Sequence, residues 1–170
     1  PDDFFGTTPK LCLKEGSNIL AGTPVFYSKK TPDVKIVSPV SGTIKKIIRG
    51  PKRKIENIII ESSKKQESIV HEVKGWNKMN INDLKQLLME SGNWSFIHQR
   101  PYGIMANPLD TPKSIFVSTA KTDPLHEDYH FVLKDDQKEF QLGIDLLNRL
   151  VDQPVFLGLD KSFPGYFESI

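Results

Sequence analysis

The sequence predicts a mixed α+β chain in two parts, a β unit over about residues 1–75 followed by an open α/β unit over about 76–170. Three observations predict it. Between Lys10 and Ser62 short apolar runs alternate with glycines and prolines, the punctuation of closely spaced strands. A helical pattern first appears at Asn80–Gly92. Ser114–Thr119, Asp136–Val151 and Val155–Leu159 then read as strand, helix and strand, the order of a β-α-β unit.

Composition sets the class. At 38% hydrophobic and 26% charged residues, 170 residues can bury a core without disulfides or metals. The net charge of +2 comes from 23 basic and 21 acidic residues nearly in balance, which argues against nucleic acid as a partner. Cys12 is the one cysteine, so no internal disulfide forms and a reducing compartment is expected. Ile58-Ile59-Ile60 is the best uninterrupted apolar run, far short of the roughly 18 to 20 residues of a membrane span. The chain opens at Pro1 without a signal-peptide pattern and reads as a piece of a longer protein. Without such a signal, the glycosylation pattern at Asn93-Trp94-Ser95 carries no weight.

In the β unit the expected strands are Leu11–Leu13, Val25–Tyr27 and Ile36–Val37. Gly16 and Gly22 fall at turns, and Pro39 and Gly42 bracket a tight reversal. Lys14 through Tyr27, followed by Val37-Ser38-Pro39-Val40-Ser41-Gly42-Thr43-Ile44, resembles the biotinyl/lipoyl-like barrel-sandwich hybrid with its two half-motifs. Carrier domains of that fold present a modified lysine at a hairpin tip, and Ser28-Lys29-Lys30-Thr31 occupies about that place. The acidic or methionine neighbours of carrier lysines are missing, so a solvated tip is the plainer reading.

Thr43 through Glu61 reads as a β-hairpin turning at Gly50-Pro51. Lys45, Lys46, Arg49, Lys52, Arg53 and Lys54 make it basic, a surface for anionic lipid headgroups or an acidic partner. The competing reading is a solvated edge whose lysines oppose strand-to-strand aggregation. Ser62–Gln66 is a polar turn, and Glu67–Val73 is expected to add one more strand.

The helix over 80–92 takes Asn80 or Asn82 as its cap, carries apolar residues at 84, 87 and 88, and stops at Gly92. Residues 94–111 are expected to be irregular because Pro101, Pro108 and Pro112 each disfavour helix at the preceding position. In the later helix Phe140, Ile144, Leu147 and Val151 share one stripe.

Three constellations suggest chemistry. The α/β unit is Rossmann-like in outline, but Ser118-Thr119-Ala120-Lys121 follows its first strand where a Gly-rich phosphate loop would stand, so NAD or FAD binding is disfavoured. His126-Glu127-Asp128-Tyr129-His130 matches the H-E-x-x-H pattern of a zinc hydrolase, with His126 and His130 as ligands and Glu127 as base. Pro124 just upstream and the strand-like or core-like Phe131-Val132-Leu133 just downstream argue for a polar loop instead. Trp94, Phe96, His98, Arg100 and Tyr102 could line a pocket for a flat ring such as a quinone, against the simpler reading of aromatics packed at a seam. Cys12 has no nearby activating base and reads as structural.

Lys10 through Tyr27 and Val37 through Ile44, with Glu90-Ser91-Gly92-Asn93-Trp94, Arg100-Pro101-Tyr102 and Thr111 through Val117 in the same order, resemble the A subunit of the Na+-translocating NADH:quinone reductase. The C subunit of the Rnf complex is a more distant likeness. The resemblance implies a barrel-sandwich hybrid followed by a truncated α/β domain. It also implies a peripheral subunit on the cytoplasmic face of the bacterial inner membrane, partnered by integral membrane subunits, with an assembly and quinone-side role. Its implied ligand is ubiquinone, with NADH, flavins and iron–sulfur centres used elsewhere in the complex, no redox cofactor and no catalytic residue of its own, and no activity for the fragment alone.

Overall fold

Alternation of buried and exposed positions along short apolar runs builds six strands in the first part of the chain. In the computed structural model, which describes residues 4, 6–73, 75–120 and 125–159 and only the backbone at His130, these are β1 (Pro9–Leu11), β2 (Asn18–Ile19), β3 (Pro24–Ser28), β4 (Thr31–Val37), β5 (Gly42–Arg49) and β6 (Ile55–Ser62). They form two three-stranded antiparallel sheets, ordered β1-β3-β4 and β2-β5-β6. Val25, Phe26 and Ile36 from the first sheet are buried against Leu11, Phe4 and Ile58 of the second sheet's β6. Each such side chain removed from water contributes about 1.5–3 kcal/mol. The Phe4 ring meets Phe26 edge-on, with centroids 5.9 Å apart.

The hairpin of β5 and β6 carries a bulge between Ile44 and Lys46, so Lys45 is an extra residue and both lysines come out exposed. At its open end the strands approach so closely that a Cβ on Gly42 would fall on the Glu61 carbonyl oxygen, which restricts that position to glycine. The polar turn after β6 is tied back: Gln66 Oε1 accepts from the Ser41 N–H at 2.8 Å, and Gln66 Nε2 donates to Ser62 Oγ at 2.8 Å.

The strand expected over Glu67–Val73 does not form. Ser68 makes a single parallel bridge with Ala21, because Ala21 sits in the turn between β2 and β3 and offers no extended partner. Val70 is left exposed.

Asn80 caps α1 (Ile81–Glu90): its Oδ1 accepts from the Asp83 N–H at 2.8 Å. Gly92, at φ 81°, ends the helical path. Fully buried Leu84 anchors α1, which packs against β4 together with a 3-10 turn at Asn93–Phe96. A short antiparallel pair, β7 (His98–Gln99) and β8 (Ile104–Met105), spans the segment expected to be irregular, with a cis peptide at Arg100-Pro101. Lys85 Nζ donates to the Pro108 carbonyl at 2.7 Å and holds the following loop. The first compact unit therefore runs to Asp110, and the second covers Thr111 onward, whereas the sequence places the division near residue 75.

In the second unit β9 (Phe116–Ser118) pairs in parallel with β10 (Phe156–Gly158), Val117 opposite Leu157, with α2 (Tyr129–Leu133) and α3 (Gln137–Asn148) between them in sequence. This is the expected β-α-β order. Phe131-Val132-Leu133 differ from expectation: they are helical, because Asp128 Oδ1 accepts from the Phe131 N–H at 3.2 Å as a helix cap does, and Phe131 and Val132 stay exposed. Helix α3 buries Ile144, and Leu150 is buried just beyond it. Its end comes before Val151, at Asn148, whose Oδ1 accepts from the Val155 N–H at 2.9 Å.

Candidate functional site

The basic hairpin gives the clearest surface feature. Lys45 is paired with Glu61 on the opposite strand at 3.3 Å, so its charge is spent along the sheet. At the tip, Pro51 starts a 3-10 turn in which Lys52 and Arg53 take left-handed backbone angles, φ 54° and 61°. The turn is braced by Gly50 N–H to the Lys54 carbonyl at 2.8 Å, Lys54 N–H to the Pro51 carbonyl at 3.1 Å, and the Arg49 guanidinium to the Arg53 carbonyl at 3.3 Å. From Arg49 to Glu56 the chain sets four cations against one carboxylate, Glu56, which folds over Gly50. Lys52, Arg53 and Lys54 are exposed, as is Lys46 on its strand. The sequence locates this charge but not the left-handed pair, since Gly50-Pro51 already supplies a turn and nothing marks Lys or Arg for φ > 0.

The aromatic group divides in two. Trp94 is only 4% exposed, and its indole N–H donates to the Ala106 carbonyl at 2.8 Å, so it fixes the β7–β8 pair to the core. Phe96 and Tyr102, 80% and 73% exposed, stand on the surface, as do His98 and Arg100, so none of these four side chains is enclosed in a slot. Elsewhere, an open pocket of about 520 Å³ lies over Ala21, Pro39 and Val40, rimmed by Ser62, Ser63 and Ser68.

His126 lies ahead of α2, and His130 is the second residue within it, so the two do not share the helical turn that H-E-x-x-H requires. The His126 Nδ1 is 3.6 Å from the Glu127 carboxylate, and its ring meets Tyr129 edge-on. Among the described residues no three His, Cys, Asp or Glu side chains gather as metal ligands. Lys29 and Lys30 form the β3–β4 tip, held by Lys29 N–H to the Thr8 carbonyl at 2.9 Å and by Lys30 N–H to Ser28 Oγ at 3.3 Å. Cys12 is exposed, yet partial desolvation of its sulfur raises the thiol pKa, an effect that the positive charge of Lys35 partly offsets.

At the carboxyl end of β9 the Thr119 N–H and Oγ1 both donate to the Gly158 carbonyl, at 2.9 and 3.2 Å. Those two donors are spent on the neighbouring strand. No helix among the described residues is long and apolar enough to cross a membrane.

Comparison with known proteins matches residues 1–63 to the NqrA N-terminal barrel-sandwich hybrid domain and residues 79–164 to the NqrA second alpha/beta domain. Relatives include the A subunit of the Na+-translocating NADH-quinone reductase of Alcanivorax borkumensis, 33% identical over 169 residues, which is 96% of this chain and 38% of the relative. The corresponding subunit of Rhodopirellula baltica is 34% identical over 170 residues, again 96% of this chain and 37% of the relative. That of Haemophilus influenzae is 32% identical over 151 residues, 88% of this chain and 34% of the relative. The chain thus spans little more than a third of the length of these relatives. With two domain matches in sequence order covering most of its residues, the chain belongs to the NqrA family, as a barrel-sandwich hybrid followed by the second α/β domain.

Proposed function

We propose that this chain works as part of a peripheral, cytoplasm-facing subunit of a membrane-bound Na+-translocating NADH:ubiquinone reductase. Its role is assembly of the complex and service of its quinone side, with NADH, flavins and iron–sulfur centres handled by other subunits. The observation that carries this reading is the ordered match to two NqrA domains, supported by relatives named as the A subunit of that reductase. The domain division we favour is 1–75 and 76–170, consistent with family matches that end at residue 63 and resume at 79. Contacts divide later because α1 lies on β4.

For the quinone, Phe96 and Tyr102 are the candidate contacts, as large aromatic side chains of one short segment that both lie on the surface. The test is affinity purification of the tagged full-length protein from its own membranes. Co-purified flavin, iron and Na+-dependent NADH:quinone activity are expected, and recovery of the protein alone would sink the reading. Photo-crosslinking with a quinone analogue should label the 96–102 segment, and labelling confined to other subunits would remove quinone contact from this chain.

A further inference from the structure

We infer that the β5–β6 hairpin tip is an electrostatic docking element for anionic phospholipid, with Lys52 and Arg53 as its principal contacts and Arg49 and Lys54 flanking them. The inference deepens the membrane-peripheral reading above and rests on it.

Backbone conformation supplies the first argument. Lys52 and Arg53 sit consecutively at φ 54° and 61°, where glycine or asparagine is comfortable and a long side chain is disfavoured. A turn selected only for closing the hairpin would place glycine there. Two long cations held at strained positions indicate that their side chains are used. Bracing by the Arg49 guanidinium and by the Gly50–Lys54 bond keeps the strained turn in one shape, so both cations project from a fixed platform.

Charge distribution supplies the second. Over the whole chain the balance is +2, yet residues 49–56 alone hold four cations and one carboxylate. Protection of a sheet edge explains lysines along a strand, such as Lys45 opposite Glu61, but a tip has no row of unpaired strand groups to protect. A lipid surface suits this arrangement better than an acidic peptide would. It asks only for clustered exposed cations, each strengthening association by about fivefold, whereas a peptide would need an apolar anchor beside them, and the tip, Pro51–Lys54, carries no large apolar side chain.

The experiment is flotation of the full-length protein with two kinds of vesicle, pure phosphatidylcholine and an equal mixture of phosphatidylcholine with phosphatidylglycerol. Binding is expected to the anionic vesicles only and to vanish in high salt, where screening shortens the reach of charge to about 3 Å. Lys52→Gln with Arg53→Gln and Lys54→Gln should lower the partition coefficient about a hundredfold. Lys52→Gly with Arg53→Gly should lower it about twenty- to thirtyfold without loss of thermal stability, which separates lost docking from lost folding. No binding to anionic vesicles, or binding unchanged by both variants, overturns the inference. Should the tip variants instead release the protein from the purified complex while leaving vesicle binding intact, the tip serves an acidic partner and the lipid assignment fails. Because vesicle binding is read without the other subunits, its failure leaves the complex-subunit reading standing, and the converse holds for the affinity purification.

Discussion

Val37 of β4 packs directly over Gly92: a Cβ placed on Gly92 would lie 2.6 Å from Val37 Cγ2 and 2.9 Å from Cγ1. With φ at 81°, Gly92 also holds a backbone conformation that side chains disfavour. Gly92→Ala should destabilise the first unit by about 2 kcal/mol, the sum of left-handed strain and overpacking, less a smaller gain from a stiffer unfolded chain. Urea denaturation checks it. The cost measured in a Val37→Ala background should fall to about 1 kcal/mol, since the two Cγ clashes are gone and what is left is the strain and a 3.3 Å approach to the Val37 Cβ. Equal costs in both backgrounds would mean that Val37 is not the obstacle.

At the other end of α1, Asn80 accepts from the Asp83 N–H at 2.8 Å and its Nδ2 donates to the Asp83 carboxylate at 2.7 Å. Asn80→Ala removes both bonds and should cost about 1 kcal/mol, read as a lower urea midpoint, while Asn80→Ser, a neutral cap that sets no second carboxylate against Asp83, should keep most of the cap. Identical losses from Ala and Ser would rule out capping as the reason for this residue.

These two residues show what the sequence reveals and what it hides. Asn80 as cap and Gly92 as stop are legible because helix ends are satisfied locally, within a few residues. That Gly92 also makes room for Val37 is a contact across 55 residues of chain, which no local pattern encodes. The same limit explains Glu67–Val73, where apolar content suggests a strand but the bridge partner is the single residue Ala21. At Phe131–Leu133 the signal is present in the sequence, since Asp128 stands where a cap belongs, but the apolar run beside it points to a strand or core segment. For the candidate surfaces, charge and aromaticity are visible in sequence. The burial of Trp94 beside exposed Phe96 and the left-handed pair at 52 and 53 arise instead from packing and turn closure, which composition does not carry.

That left-handed pair predicts a stabilising change. Releasing a non-glycine residue from φ near 60° recovers roughly 1–2 kcal/mol, while glycine's extra freedom in the unfolded chain takes back roughly 0.5–1 kcal/mol. Strain wins, so Lys52→Gly and Arg53→Gly should each raise stability by about 0.5–1 kcal/mol. Calorimetry on the single variants decides the matter. Melting temperatures below that of the parent would show that the tip residues are not strained and would weaken the argument for their use in docking.

Cys12 predicts a pH dependence whose sign follows from its environment. Desolvation of the sulfur disfavours the thiolate, so the folded-state pKa lies above the unfolded one, with Lys35 reducing the difference. A group raised in the folded state contributes stability that is fully present below its unfolded pKa, about 8.5 for a thiol, and is lost as pH rises through the folded value. Stability measured for the parent and for Cys12→Ser should therefore converge or cross as pH is taken from about 7 to about 10, while lysine titration affects both alike. Lys35→Ala should widen the convergence by removing the charge that favours the thiolate, and it should slow alkylation of Cys12 by iodoacetamide at fixed pH. Parallel pH profiles for the parent and Cys12→Ser would show that the thiol titrates alike in the folded and unfolded chains.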